Sequence, residues 1–333
     1  MSRALVPLFN ALGNVPAPLA SKLGSAAGHV TGLLPTGSKA QLVKNHQRLS
    51  DAPLTDTHVS RAFAAYFQMF AETPSLHRWS EEQIRSAVDA EYHEELLKDL
   101  ESGPVVVAMT HSGNWDLAGA WASFELAKVV TVAEVVKPPE LYDFFVQTRQ
   151  SLGMEILPAK RGIFKQLREQ VEGRNVLVPL LADRDITGGG LEVDFGGHRA
   201  LVAAGPAALA KELNRPLWVN HMSFSRLDKD AKGSRARAGK RTGESGSGSA
   251  SSRPAGGRYT LHLRPVKTTG AVEADTQAWV DTVVPLIQSH LADWHMLQPL
   301  FVQDLDPDRL ARARERHARH ARDLESGSES GEV

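Results

Sequence analysis

Between residues 104 and 224, five short apolar runs rich in β-branched residues alternate with longer segments of helical spacing. The runs are "PVVVAM" (104–109), "VVTVAEV" (129–135), "MEILP" (154–158), "NVLVPLL" (175–181) and "PLWVNHMSF" (216–224). Between them lie a helical pattern from about Asn114 to Lys128, "PELYDFFVQTRQSLG", "GIFKQLREQVEG" and, after a glycine-rich loop, "LVAAGPAALAKELN". Strands that alternate with helices build a sheet covered on both faces, because each helix must bury its apolar stripe against the strands it connects. The fold class is therefore α/β, with a mixed, largely parallel central sheet flanked by helices on both faces. "RYTLHLRPV" (258–266) alternates apolar and polar residues, which suits a sheet edge. On such sheets chemistry gathers at the carboxyl ends of the strands.

Residues 38–100 read as helices. Phe63, Tyr66, Phe67 and Phe70 form an aromatic stripe at helical spacing, either core or the wall of a groove. Ser80 is a good N-cap, with Glu81 and Glu82 in the first turn, for one helix that runs to near Gly103. The N-terminal 37 residues are mildly apolar and interrupted by Pro7, Pro16, Pro18 and Pro35. Their short helical pieces put Leu5, Leu8, Phe9 and Leu12 on one side, to lie in a membrane interface or to pack on the protein's own core. Residues 228–257 are rich in Gly, Ser and basic residues and cannot bury a core, so they read as a disordered insertion joining two strands. Residues 311–333 read as a charged helix followed by an acidic, frayed tail. The expected organisation is an N-terminal membrane-associating segment (1–37), a catalytic domain (38–310) that carries the insertion, and the charged terminus.

Several function classes drop out. The formal net charge of -1 gives no basic field to draw the chain onto nucleic acid. With no cysteine there is no disulfide, thiolate zinc site or cysteine nucleophile. No apolar run reaches the length of a membrane span, and the N-terminus only weakly imitates a secretory signal. A metal site needs a third and fourth ligand. The candidate histidine pairs, His290 with His295 on an expected helix and His317 with His320 in the charged tail, do not supply them.

"MTHSGNWDLAG" (109–119) carries His111 five residues before Asp116. With thirteen histidines in 333 residues, chance supplies roughly one such spacing, and the chain has a second in His46–Asp51. Spacing alone therefore decides nothing. His46 follows a helical pattern with no strand behind it. His111 leaves a buried strand, enters a turn that "SGN" can make, and precedes a helix. There Asp116 can accept a hydrogen bond from one imidazole nitrogen, leaving the other free as a general base. A structural histidine beside a helix first-turn aspartate accounts for the local sequence equally well.

"THSGNWDLAG" resembles the His-x4-Asp motif of the lysophospholipid acyltransferase-like superfamily. "KPPELYDFFVQTRQSLGMEILP" (137–158) and "LVPLLADRDITGGGLEVDFGGHRALVAAGPAALAKELNRPLW" (177–218) are similar to its next blocks. The flanking sequence resembles the lipid A acyltransferase branch and, within it, the actinobacterial phosphatidylinositol mannoside acyltransferases, over roughly residues 40–310. The resemblance implies transfer of a fatty acyl group from acyl-CoA, a co-substrate with no bound cofactor, to a mannose hydroxyl of a glycolipid. It places the protein at the cytoplasmic face of the plasma membrane, on an anionic surface. His111 is implied as general base with Asp116 as its partner, and Asp183 falls where the family carries an acidic residue beside the histidine. A backbone N–H near the turn is the expected donor to the developing oxyanion. Arg149 falls in the helix lining the acyl-donor site. Its own chemistry suits phosphate or carbonyl oxygens, or a surface ion pair with Asp143 or Glu155. Arg184, Asp185 and Glu212 fall toward the acceptor. Lys160 and Arg161 resemble a block where basic residues meet an acceptor phosphate. The 228–257 insertion and the glycine-rich "FGGHRA" (195–200) depart from the family pattern. The alternatives are another lipid acceptor, a catalytically silent lipid binder, or a thioesterase.

Overall fold

The computed structural model describes residues 5–160, 162–185, 189–225, 258–308, 310, 311, 314 and 315. The expected insertion at 228–257, Arg161, the side chain of Leu5 and most of the expected charged terminus lie outside the described residues. The helices are α1 (Leu5–Gly13), α2 (Ala17–Leu33), α3 (Gly37–Leu49), α4 (Asp56–Glu72), α5 (Glu81–Ala87), α6 (Glu95–Glu101), α7 (Trp115–Glu125), α8 (Pro139–Ser151), α9 (Ile163–Val171), α10 (Gly205–Leu213) and α11 (Val272–Ser289). The strands are β1 (Val88–Glu91), β2 (Val105–Met109), β3 (Lys128–Ala133), β4 (Glu155–Pro158), β5 (Val176–Leu181), β6 (Leu191–Asp194), β7 (Arg199–Val202), β8 (Leu217–Ser225) and β9 (Arg258–Pro265).

The five apolar runs form β2, β3, β4, β5 and β8. They join β1 and β9 in one sheet of order β1-β9-β8-β2-β5-β3-β4. Every neighbouring pair is parallel except β8 and β9. β2 lies at the centre and is buried on both faces, which is why its sequence is apolar throughout rather than alternating. Val106 and Ala108 join a core with Leu167 of α9, Leu209 of α10 and Trp279 of α11. Val105, Val107 and Met109 join a second core with Ile84 of α5, Leu96 of α6 and Trp121 of α7. The fully buried Val, Leu and Ile side chains among these contribute roughly 1.5–3 kcal/mol each.

Four expectations change. The helix begun by Ser80, which has a complete capping box with Gln83, stops at Ala87. Residues 88–91 then pair with β9 as a parallel edge strand, and α6 follows. β9 is consequently an interior strand, not an edge. "LEVDFGGHRALV" folds as the antiparallel hairpin β6–β7, so α10 begins only at Gly205. His290 caps the end of α11 and His295 lies beyond it, so the two do not share a helix.

α2 is apolar on two opposite faces. Ala20, Gly24, Gly28 and Gly32 recur every fourth residue and pack on α4. A Cβ on Gly24 or Gly28 would fall on the carbonyl of Phe67 or Phe63, so the two backbones touch only because side chains are missing there. Leu19, Leu23, Val30, Leu33 and Leu34 lie on the other side, within an arc of about 100° at 3.6 residues per turn, and are all about half exposed or more. Among the described residues no helix is long and apolar enough to cross a membrane. Gly28→Val should push α2 away from α4 and destabilise the protein by about 3 kcal/mol, read as a lower melting temperature.

Candidate active site

His111 stands on the turn between β2 and α7. The turn is possible because Gly113 takes φ +54°, where a Cβ would strike Met222. It is clamped from several sides. Gly113 N–H donates to the Asp293 carbonyl (3.0 Å), His295 N–H donates to the His111 carbonyl (2.6 Å), and His295 Nε2–H donates to the Gly113 carbonyl (3.0 Å). The Ser112 hydroxyl accepts from Met222 N–H (2.9 Å). Asn114 caps α7 by accepting from Leu117 N–H (3.0 Å).

The carboxylate on the imidazole is Asp183. His111 Nδ1 donates to Asp183 Oδ1 (2.5 Å), and His111 N–H donates to Oδ2 (2.9 Å). Trp294 Nε1–H also donates to Oδ2 (2.8 Å). Asp116 instead accepts from Arg149 Nε at 2.5 Å. The expectation that Asp116 orients His111 is thus corrected, and the sheet register gives the reason. Met109 lies opposite Leu181, so His111 and Asp183 leave adjacent strands at the same level. Asp116 is already in the first turn of α7, where the guanidinium of α8 meets it.

Asp183 is fully buried. Burial alone would push its carboxyl up. Electrostatic attraction to the adjacent His111 imidazole, with the hydrogen bonds from His111 and Trp294, holds it below the usual carboxylate range. Because a carboxylate only accepts, His111 carries its proton on Nδ1, and Nε2 takes no hydrogen bond from the described residues. The ring is about one-fifth exposed and borders a cavity of about 300 Å³. The cavity walls are mostly apolar, with Met69, Phe70, Val107, Met154, Leu177 and Leu261 among them. Its polar lining includes Asp116, Glu134, Arg149, Arg184 and His295.

The other expected site residues divide. Arg184 reaches the cavity; Asp185 is buried instead, with its N–H donating to the Leu201 carbonyl. Glu212 is on the exposed face of α10, paired with Arg168 (3.2 Å), and does not border the cavity, because α10 packs with α9 and α11 on the opposite side of the sheet. Tyr66 and Phe70 of the aromatic stripe line the cavity, while Phe63 is core. Three of the turn N–H groups expected as oxyanion donors are engaged elsewhere. Those of His111, Ser112 and Gly113 are already given to Asp183, Thr110 and Asp293.

No motif in the sequence points to Trp294 or Glu134, and His295 enters the sequence reading only as half of a rejected metal pair. Trp294 stacks between His46 (5.7 Å) and Phe195 (5.8 Å). His46, the chance twin of His111, is wholly buried and donates through Nε2 to the Trp294 carbonyl (2.9 Å), so it is structural.

Buried histidines set the acid response. Burial first, then neighbouring histidines, pushes His46 and His295 down to about 3 and His221 well below its usual value. In the unfolded chain each binds a proton near pH 6.5, and in the folded chain it does not. The stability they contribute is therefore lost as pH falls below about 6.5, at about 1 kcal/mol per histidine per pH unit. Asp293, pushed up to about 7 by burial, works in the opposite sense between about pH 4 and 7, at the same rate. Three histidines outweigh one aspartate. Melting temperature should fall by about 5 °C between pH 6.5 and 5.5.

Three comparisons bear on the chain. The profile of the family described as bacterial lipid A biosynthesis acyltransferase matches residues 4–230. The chain is 33% identical over 285 residues to a phosphatidylinositol mannoside acyltransferase of Mycolicibacterium smegmatis, covering 83% of this chain and 84% of that one. It is 37% identical over 216 residues to the protein of the same name from Mycobacterium tuberculosis, covering 63% of this chain and 58% of that one.

Proposed function

The chain belongs to the bacterial lipid A biosynthesis acyltransferase family and is an O-acyltransferase, and from that premise we propose that it moves a fatty acyl group from acyl-CoA to a mannose hydroxyl of phosphatidylinositol mannoside. The observation that carries the chemistry is the His111–Asp183 pair at the border of an apolar cavity. The acceptor follows the name of the relative that matches over most of both chains.

In this reading the acyl chain lies along the apolar wall. The mannose hydroxyl donates to His111 Nε2, and His111 takes its proton as the oxygen attacks the thioester carbonyl. The C–O bond forms, the C–S bond breaks, and the CoA thiolate leaves with the proton that His111 returns. Asp183 keeps Nδ1 protonated and steadies the imidazolium. Arg149 and Arg184 supply cations at the cavity for carbonyl or phosphate oxygens. The exposed leucines of α1 and α2, Leu8 among them, support peripheral contact with the anionic cytoplasmic face of the plasma membrane.

The test is to incubate the protein and vesicles with palmitoyl-CoA, with and without mannosylated phosphatidylinositol, and to follow free CoA and acylated product. CoA release that needs the mannolipid is expected. Release at the same rate without it would mean a thioesterase, transfer only to another lipid would move the acceptor, and no release from folded protein on membrane would mean a silent binder.

A further inference from the structure

Glu72, the last residue of α4, is almost wholly buried, and no cation bonds to it among the described residues. Four donors converge on its two oxygens instead. Oε1 accepts from the Ser21 hydroxyl of α2 (2.6 Å) and from Gln68 Nε2 (2.8 Å). Oε2 accepts from the Tyr259 hydroxyl of β9 (2.5 Å) and from Asn114 Nδ2 (3.2 Å). Four donors match the four acceptor sites of a carboxylate. Asn114 is the residue between the His111 turn and α7. Its amide has one arrangement that serves both neighbours, with Nδ2 toward Glu72 and Oδ1 accepting Leu117 N–H. Glu72 therefore holds the orientation of the amide that starts α7, and through it the exit of the turn that carries His111.

We infer that Glu72 is a positioning residue for acyl transfer: it fixes the His111 turn through Asn114, and Ser21 joins α2 to the same carboxylate. The inference rests on the proposed role of His111. Glu72 acts through Asn114 rather than on substrate, so its effect must appear in turnover rather than in donor affinity. It also ties the helix with the outward leucine stripe to the turn, by two hydrogen bonds in series.

Substitutions separate this role from simple stability. Asn114→Asp keeps an acceptor for Leu117 N–H but sets a second carboxylate against Glu72. Adding Glu72→Gln removes that repulsion, since the new amide donates to the carboxylate introduced at position 114. Its oxygen still accepts from Gln68, the Ser21 hydroxyl already has a second acceptor in the Ala17 carbonyl (2.9 Å), and the Tyr259 hydroxyl, which also meets Asn114, turns its proton to the carboxylate at position 114. The experiment measures kcat and KM for palmitoyl-CoA, with melting temperature as a fold check. Glu72→Ala and Asn114→Asp should each lower kcat about tenfold or more with little change in KM, as a small misplacement of the reacting group does. Asn114→Asp/Glu72→Gln should recover most of that loss. Glu72→Ala with unchanged kcat would overturn the inference. If Glu72→Ala does not fold, the Asn114 pair decides. An Asn114→Asp variant with normal kcat, or one that Glu72→Gln fails to rescue, would overturn it equally. His111→Ala in the same assay keeps the two claims apart. If that variant turns over, the reading of His111 fails. If it is inactive while the Glu72 variants behave against expectation, only the inference fails.

Discussion

His111→Ala should lower acyl transfer by about 10³-fold or more while the protein stays folded. The imidazole is the basic group that the structure holds with one nitrogen committed to a buried carboxylate and the other left without a protein partner among the described residues at the cavity. The loss should fall on kcat, because in the proposed mechanism His111 meets the acceptor oxygen and not the acyl chain. Folding should survive for a local reason. Asp183 still accepts from the backbone N–H of residue 111 and from Trp294, so the buried carboxylate keeps two of its three donors. Losing the third costs about 1–3 kcal/mol. A melting curve shows that cost, and CoA release shows the catalytic one.

Asp183→Asn should be almost as damaging, at about 10³-fold, although it changes a single atom. The amide oxygen will take the Oδ2 position, because two donors, His111 N–H and Trp294 Nε1–H, already point there. The amide nitrogen then faces His111 Nδ1 as a donor. To accept that bond, the imidazole must carry its proton on Nε2, the nitrogen proposed to take the mannose proton. The variant keeps the shape of the site and has the wrong tautomer. Rate measurements beside a melting curve check it: a large rate loss with a small stability loss is expected, and a rate within a few-fold of wild type would remove Asp183 from the mechanism.

Most of the fold is legible in the sequence because local chemistry writes it. Central strands buried on two faces must be apolar throughout, and their runs mark the chain. β1 is not legible, since four residues at an edge carry too little pattern, and without it β9 reads as an edge. The hairpin β6–β7 hides behind its glycines. In the site, the end of β2 locates His111. The pairing with Asp183 follows from the register of β2 against β5, which no local spacing encodes. Asp116 is near in sequence, and that nearness suggests the pairing, yet Arg149 is the side chain that reaches it. Trp294 and Glu72 are brought from remote segments by tertiary packing, so nothing beside them in the chain announces them, and the spacing of His295 from His290 suggests a metal pair rather than its place at the turn. The stripe of small residues on α2 is legible in principle, since residues 20, 24, 28 and 32 repeat every fourth position.

In the proposed mechanism Asp183, not Asp116, holds the proton of His111 on Nδ1 so that Nε2 acts as base. Nuclear magnetic resonance of protein carrying 15N-labelled histidine tests it most directly, by following the strongly hydrogen-bonded Nδ1 proton of His111, assigned by its loss in His111→Ala. This resonance should persist in Asp116→Asn and disappear in Asp183→Asn. Persistence in Asp183→Asn with loss in Asp116→Asn would overturn the pairing.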